Sequence, residues 1–135
     1  MTDPELIAKR LAYIETLLRE LRQHGRPDRV ADDVRERRFI EHTLQLAIQA
    51  ALDVASHIVS DERLGEPRTN RELFDRMAEH GWIEEALRDP LRRMAGFRNV
   101  LVHGYTEVDP AIVRDVVDHH LGELEAFVAA VRARL

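Results

Sequence analysis

Four side chains that could bind phosphate or move a proton lie within eight consecutive residues, between positions 98 and 105. They are a guanidinium, an amide, an imidazole and a phenol, on Arg98, Asn99, His103 and Tyr105. An arginine presents a rigid fork of N–H donors that matches an oxyanion. A histidine can donate or accept a proton near neutral pH. This combination predicts chemistry at a phosphate group.

The arrangement of these groups follows from the helix that is predicted to carry them. At about 100° per residue, Asn99 and His103 lie one turn apart on the same face. Arg98 lies at the edge of the apolar stripe, and a partly buried guanidinium requires an anion. A simpler interpretation is that Arg98 pairs with a carboxylate of a neighbouring helix and that His103 caps the helix end before Gly104.

The polar face of this helix extends back towards its start. Arg88 and Arg92 lie on the same face as Asn99 and His103, so the four residues form one polar ridge. Ala95 and Gly96 share this face and leave room for another backbone or for a ligand. The ridge is therefore a candidate surface for binding phosphates.

A second polar line runs along the second predicted helix, where four polar residues from Glu41 to Asp53 are spaced by four. Most polar helical stripes face water, so one interpretation is a solvated face. The other is that Gln49 and Asp53 point towards the helix of Arg98 and hold its guanidinium in place.

Capping residues and apolar periodicity predict five helices and no strand. Aspartate followed by proline starts the first and the last helix, and Thr69 with Glu72 forms a capping box for the third. The predicted helices span about residues 4–25, 33–59, 69–81, 83–104 and 110–135. We therefore expect an all-α bundle that forms a single domain over residues 1–135.

The composition excludes several kinds of site. The chain has no cysteine, which excludes disulfides and thiolate chemistry. It has no His-x3-His pair, so neither a metal site nor a cofactor is expected. No apolar run approaches the length of a membrane span, and the N-terminus lacks the pattern of a signal peptide, so a cytoplasmic protein is expected. The net charge of −5 argues against broad non-specific nucleic-acid binding but allows a local basic groove.

The pattern Arg-x4-His-x-Tyr, from Arg98 through His103 to Tyr105, resembles the signature of the HepT-like branch of the HEPN superfamily. Residues 44–55 (LQLAIQAALDVA) resemble the second helix of that family, and residues 74–83 (FDRMAEHGWI) resemble its third. The similarity extends over essentially the whole chain. It implies a five-helix, up-and-down HEPN bundle that forms a homodimer, with the two motifs facing a shared cleft.

The resemblance also implies an activity, that of a metal-independent endoribonuclease toxin in a type VII-like toxin–antitoxin system. In that scheme His103 is the general acid or base at the ribose 2′-hydroxyl or the leaving oxygen. Arg98 stabilises the charge on the phosphoryl oxygens, and Asn99 orients the phosphate or the imidazole. The RNA substrate, a tRNA or an mRNA, would lie along Arg88 and Arg92.

The implied partner is an MntA-like nucleotidyltransferase antitoxin that AMPylates Tyr105. The added AMP would bring an anion and a bulky base close to Arg98, where the substrate phosphate must lie. The residues alone leave two other functions open. One is a non-catalytic subunit that binds a nucleotide or a substrate for a nucleotidyltransferase, and the other is a purely structural helical dimer.

Overall fold

The structure, a computed structural model, describes residues 2–104 and 108–135. These residues contain six α-helices, one turn of 3₁₀ helix at Pro27–Arg29, and no strand. The α-helices are α1 Pro4–His24, α2 Val34–Asp61, α3 Asn70–Glu79, α4 Glu85–His103, α5 Pro110–His119 and α6 Leu121–Arg132. The predicted all-α class is confirmed. No helix in the described part of the chain combines the length and the apolar character needed to cross a membrane.

The predicted helix starts are made by the side chains expected to cap them. The carboxylates of Asp3 and Asp109 accept N–H groups of the first turns of α1 and α5. Thr69 Oγ1 accepts the N–H of Glu72 at the start of α3. In a standard capping box the Glu72 carboxylate would accept the N–H of Thr69. Here it accepts the N–H of the preceding residue, Arg68, at 2.9 Å.

The prediction of five helices is wrong, because the C-terminal helix is divided into α5 and α6. His120 separates them, with φ −123° and ψ −2°. α5 packs against the 3₁₀ turn and α2, whereas α6 packs mainly against α1 and α4. The apolar periodicity continues through both helices, so the sequence pattern conceals the break between them.

His120 connects the two helices through its side chain. Its Nδ1 lies 2.8 Å from Glu123 Oε1 on α6, and its Nε2 lies 3.1 Å from Asp115 Oδ2 on α5. The hydrogen bond to Glu123 raises the pKa of His120 above its ordinary value of 6.5, and together with the charges of Glu123 and Asp115 it outweighs the opposing effect of burial. The protonated imidazole therefore stabilises the junction.

We expect the His120→Gln variant to lose a pH-dependent part of the free energy of unfolding. Because the folded-state pKa of His120 is raised, its contribution is fully present below about pH 6.5 and is lost as the pH rises through the folded-state pKa. Urea unfolding of both proteins on either side of this range should show the wild-type advantage shrinking at high pH. An advantage that does not change with pH would contradict this role.

α2 is the centre of the bundle and contacts each of the other five described helices. Its buried residues include Ala47, Ala50, Ala51 and Ala55. Small side chains allow neighbouring helices to approach closely, and the polar side chains beside them can then reach across to another helix. This proximity brings α2 within hydrogen-bonding distance of α4.

α4 ends where the sequence predicts. The N–H of Gly104 donates to the carbonyl of Val100 at 2.7 Å and closes the last turn after His103. Pro90 lies inside α4, where it lacks the N–H that would donate to the Ala86 carbonyl. The helix nevertheless continues through this position to the site.

Candidate active site

The residues predicted to act on a phosphate lie on the last two turns of α4. Arg98 is half-buried, whereas Asn99 and His103 are exposed. Since α4 is helical through His103, Asn99 and His103 lie on one face, about 6 Å apart along the axis. Tyr105, the predicted site of modification, lies outside the described residues.

Two amide oxygens hold the Arg98 guanidinium. Its Nε–H donates to Gln49 Oε1 on α2 at 2.8 Å, and its Nη1 donates to the neighbouring Asn99 Oδ1 at 3.1 Å. The Gln49 amide nitrogen in turn donates to Asp53 Oδ1 at 3.0 Å. An arginine side chain can only donate hydrogen bonds and an ionised aspartate can only accept them, so a single orientation of the Gln49 amide satisfies both partners.

The Arg98 guanidinium has only uncharged partners among the described residues. Within residues 2–104 and 108–135, no carboxylate forms a salt bridge with Arg98, and the two acceptors that contact it are neutral amides. The simpler interpretation, a pairing with a carboxylate of a neighbouring helix, is therefore not realised in this part of the chain. The guanidinium combines a fixed position with a positive charge that no carboxylate of residues 2–104 and 108–135 neutralises, which suits the binding of an anion.

Asp53 acts on Arg98 only through Gln49. Its other oxygen lies 4.0 Å from Arg10 Nη1 on α1, and both side chains are more than one-third exposed. The sequence did not predict that Arg10 lies near Asp53, because the two residues are far apart in the chain and no sequence motif links them. The α1–α2 groove beside the site is also lined by Tyr13.

Arg88 and Arg92 are both engaged by α3. Arg88 Nη1 lies 3.4 Å from Asp75 Oδ1, and Arg92 Nη1 binds the other oxygen of the same carboxylate. Arg88 also pairs with Glu85 on its own helix. By pairing with both arginines, Asp75 neutralises part of the positive charge of the predicted ridge. The sequence did not predict this contact. The role of Arg88 and Arg92 in RNA binding stays a prediction.

The space that Gly96 leaves on the ridge is occupied by a side chain of this same chain. The guanidinium of Arg71, from the first turn of α3, lies against it. The sequence indicated a gap here but not its occupant, since Arg71 is 25 positions away.

The site thus offers an exposed imidazole, a fixed guanidinium and an amide on one helix end. This set can hold a phosphodiester and move a proton at one of its oxygens. Within the two described ranges, no three His, Asp or Glu side chains are grouped so that they could hold a metal ion.

Comparison with protein families identifies the same region. A family model described as ribonuclease HepT-like matches residues 11–131, which include all of α4. The mRNA nuclease HepT of Shewanella oneidensis is 32% identical over 130 residues, which cover 96% of this chain and 98% of the relative. The tRNA nuclease HepT of Aphanizomenon flos-aquae is 28% identical over 135 residues, which cover 98% of this chain and 92% of the relative.

A solved structure is similar over nearly the whole fold. It is a tri-AMPylated HEPN toxin of Shewanella oneidensis in complex with an MNT antitoxin. The TM-score is 0.87 at 32% identity, and the match covers 98% of this chain and 99% of the toxin. The chain therefore belongs to the ribonuclease HepT-like family, which confirms both the family predicted from the motif and the prediction of an RNA nuclease.

Proposed function

We propose that this protein is a metal-independent endoribonuclease that acts as the toxin of a toxin–antitoxin pair and is silenced by AMPylation of Tyr105. The observation that carries the proposal is the Arg98 guanidinium. It is held by Gln49 and Asn99 without a carboxylate partner in the described residues, on the helix that ends at His103. The similar proteins that are named as mRNA and tRNA nucleases support RNA as the substrate.

The proposed cleavage uses the ribose as the nucleophile. The 2′-oxygen attacks the adjacent phosphorus, the bond to the 5′-oxygen breaks, and one product ends in a 2′,3′-cyclic phosphate. His103 takes the proton from the 2′-hydroxyl or gives one to the leaving 5′-oxygen. Arg98 stabilises the negative charge that grows on the non-bridging oxygens, and Asn99 keeps the phosphate or the imidazole in place.

A homodimer fits this chemistry. Cleavage needs one group that accepts a proton and another that donates one, and a single exposed imidazole cannot do both at once. Two copies of the motif in a shared cleft would supply the second His103. The dimer would also double the number of arginines at the shared cleft, although the net charge of each chain is −5. We propose that the protein acts in the cytoplasm.

The proposed control is covalent. The Tyr105 hydroxyl attacks the α-phosphorus of ATP on an MntA-like nucleotidyltransferase partner, pyrophosphate leaves, and the phenol oxygen carries AMP. The new phosphodiester adds negative charge and bulk close to Arg98, and it competes there with the substrate phosphate. The tri-AMPylated toxin in complex with an antitoxin, which matches 98% of this chain, supports this step.

We expect RNA cleavage by the purified protein to continue unchanged in EDTA, because none of the residues assigned to the reaction needs a metal. Mass spectrometry of the fragments should show 2′,3′-cyclic phosphate ends. Cleavage that requires Mg²⁺, or that leaves 3′-hydroxyl ends, would contradict the mechanism. Tight nucleotide binding without any cleavage would instead favour a non-catalytic subunit.

A further inference from the structure

Arg71 covers a glycine on the face of α4 that carries Asn99 and His103. A Cβ atom at position 96 would lie 2.5 Å from Arg71 Nη2, 3.2 Å from Cζ and 3.3 Å from Nε. These distances are shorter than ordinary carbon contacts, so the guanidinium lies directly on the α4 backbone. Glycine is a poor helix former compared with alanine. The space that its missing side chain leaves for the Arg71 guanidinium gives a reason for its presence inside α4.

The charge of Arg71 has no partner in the described residues. Its side chain is exposed, and neither a hydrogen bond nor an ion pair engages it within residues 2–104 and 108–135. Three other arginines of α3 and α4 are paired, Arg88 and Arg92 with Asp75 and Arg76 with two glutamates of α3. Arg71 therefore keeps a full set of N–H donors for a ligand.

The position of Arg71 relative to the motif follows from the helix. Gly96, Asn99 and His103 are at i, i+3 and i+7, so they lie within about 60° of one another around α4. Gly96 lies about 10 Å from His103 along the axis. A guanidinium over Gly96 is on the catalytic face but too far along it to contact the phosphate on which His103 acts.

We propose that Arg71 binds the RNA backbone at a phosphate next to the one that is cleaved. This inference rests on the proposed endoribonuclease function and adds a substrate-binding residue to it. Arg71 would contact the substrate equally in its ground state and in the transition state, since the charge of the neighbouring phosphate does not change during the reaction. Its loss should therefore raise KM and leave kcat nearly unchanged.

Binding of a labelled single-stranded oligoribonucleotide tests this role, with the full chain in a His103→Ala background so that no cleavage interferes. Arg71→Ala should weaken binding about tenfold and lower the slope of log affinity against log salt by about 0.7, as expected for one lost phosphate contact. Gly96→Ala should weaken binding in the same way, because the added methyl displaces the guanidinium. Its melting temperature should be unchanged or higher, since alanine favours the helix.

Arg29→Ala is the matched control, because it removes an exposed arginine from the 3₁₀ turn, which packs against α2 and α5. Equal affinities of Arg71→Ala and Arg29→Ala would overturn the inference. So would an Arg71→Ala variant that binds RNA normally and loses affinity only for a protein partner. Failure of the wild type to cleave RNA would count against the proposed function alone, because the binding measurement does not depend on cleavage.

Discussion

The His103→Ala variant is expected to cleave RNA about 10²–10⁴ times more slowly than the wild type, because it loses the group proposed to move a proton at the ribose or the leaving oxygen. The side chain is exposed at the end of α4, and no residue of the described ranges contacts its ring through a hydrogen bond. The fold should therefore survive the change. Cleavage is measured under single-turnover conditions, and circular dichroism reports the helical content.

His24→Ala is a closely matched control. His24 is exposed, ends α1 and is followed by Gly25, just as His103 ends α4 and is followed by Gly104. The control variant should cleave at the wild-type rate. Full activity of His103→Ala, or an equal loss in both variants, would remove His103 from the mechanism.

Arg98→Ala belongs to the same prediction, with an expected loss of about 10²–10³ in kcat, the usual effect of removing one group that stabilises developing charge. Gln49→Leu should cause a smaller loss, because Gln49 is proposed to act on the reaction only through its hydrogen bond to Arg98. If that is so, the double variant should be no slower than Arg98→Ala alone. Additive losses would show that Gln49 has a role independent of Arg98.

The Tyr105→Phe variant is expected to remain toxic when the partner nucleotidyltransferase is co-expressed, whereas the wild type is silenced. The phenylalanine lacks the oxygen that would accept AMP, yet it keeps the ring, and the proton transfer proposed for His103 does not use the phenol. Intact-mass measurement should show one or more AMP units on the co-expressed wild type and none on the variant. Cleavage by the variant alone should match that of the wild type.

The chain contains one other tyrosine, which provides the control. Tyr13 is 46% exposed on α1, beside the groove that Gln49 and Asp53 also line. Tyr13→Phe should be AMPylated and silenced like the wild type. A Tyr105→Phe variant that gains the same mass and is silenced to the same extent would show that Tyr105 is not the modified residue.

Features that depend on nearby residues could be predicted from the sequence. Helix starts follow from a cap side chain and the three residues after it, which is why Asp3, Thr69 and Asp109 identify α1, α3 and α5. The shared face of Asn99 and His103 follows from helical periodicity alone. The motif that indicates the family lies within residues 98–105, so it can also be recognised from the sequence. The division between α5 and α6 could not be predicted in this way, because it depends on which helices each half contacts, and the apolar pattern is continuous through it.

The electrostatic state of each arginine, by contrast, was decided only by the tertiary structure. The sequence makes Arg98, Arg88 and Arg92 all candidate cations for a phosphate. In the fold, Asp75 on α3 engages Arg88 and Arg92, whereas α2 offers Arg98 a neutral amide. Arg71, which no motif marks, lies unpaired within the described ranges over Gly96. A charge is free or neutralised according to groups within a few ångströms in space, and residues distant in the chain become such neighbours only when the helices pack.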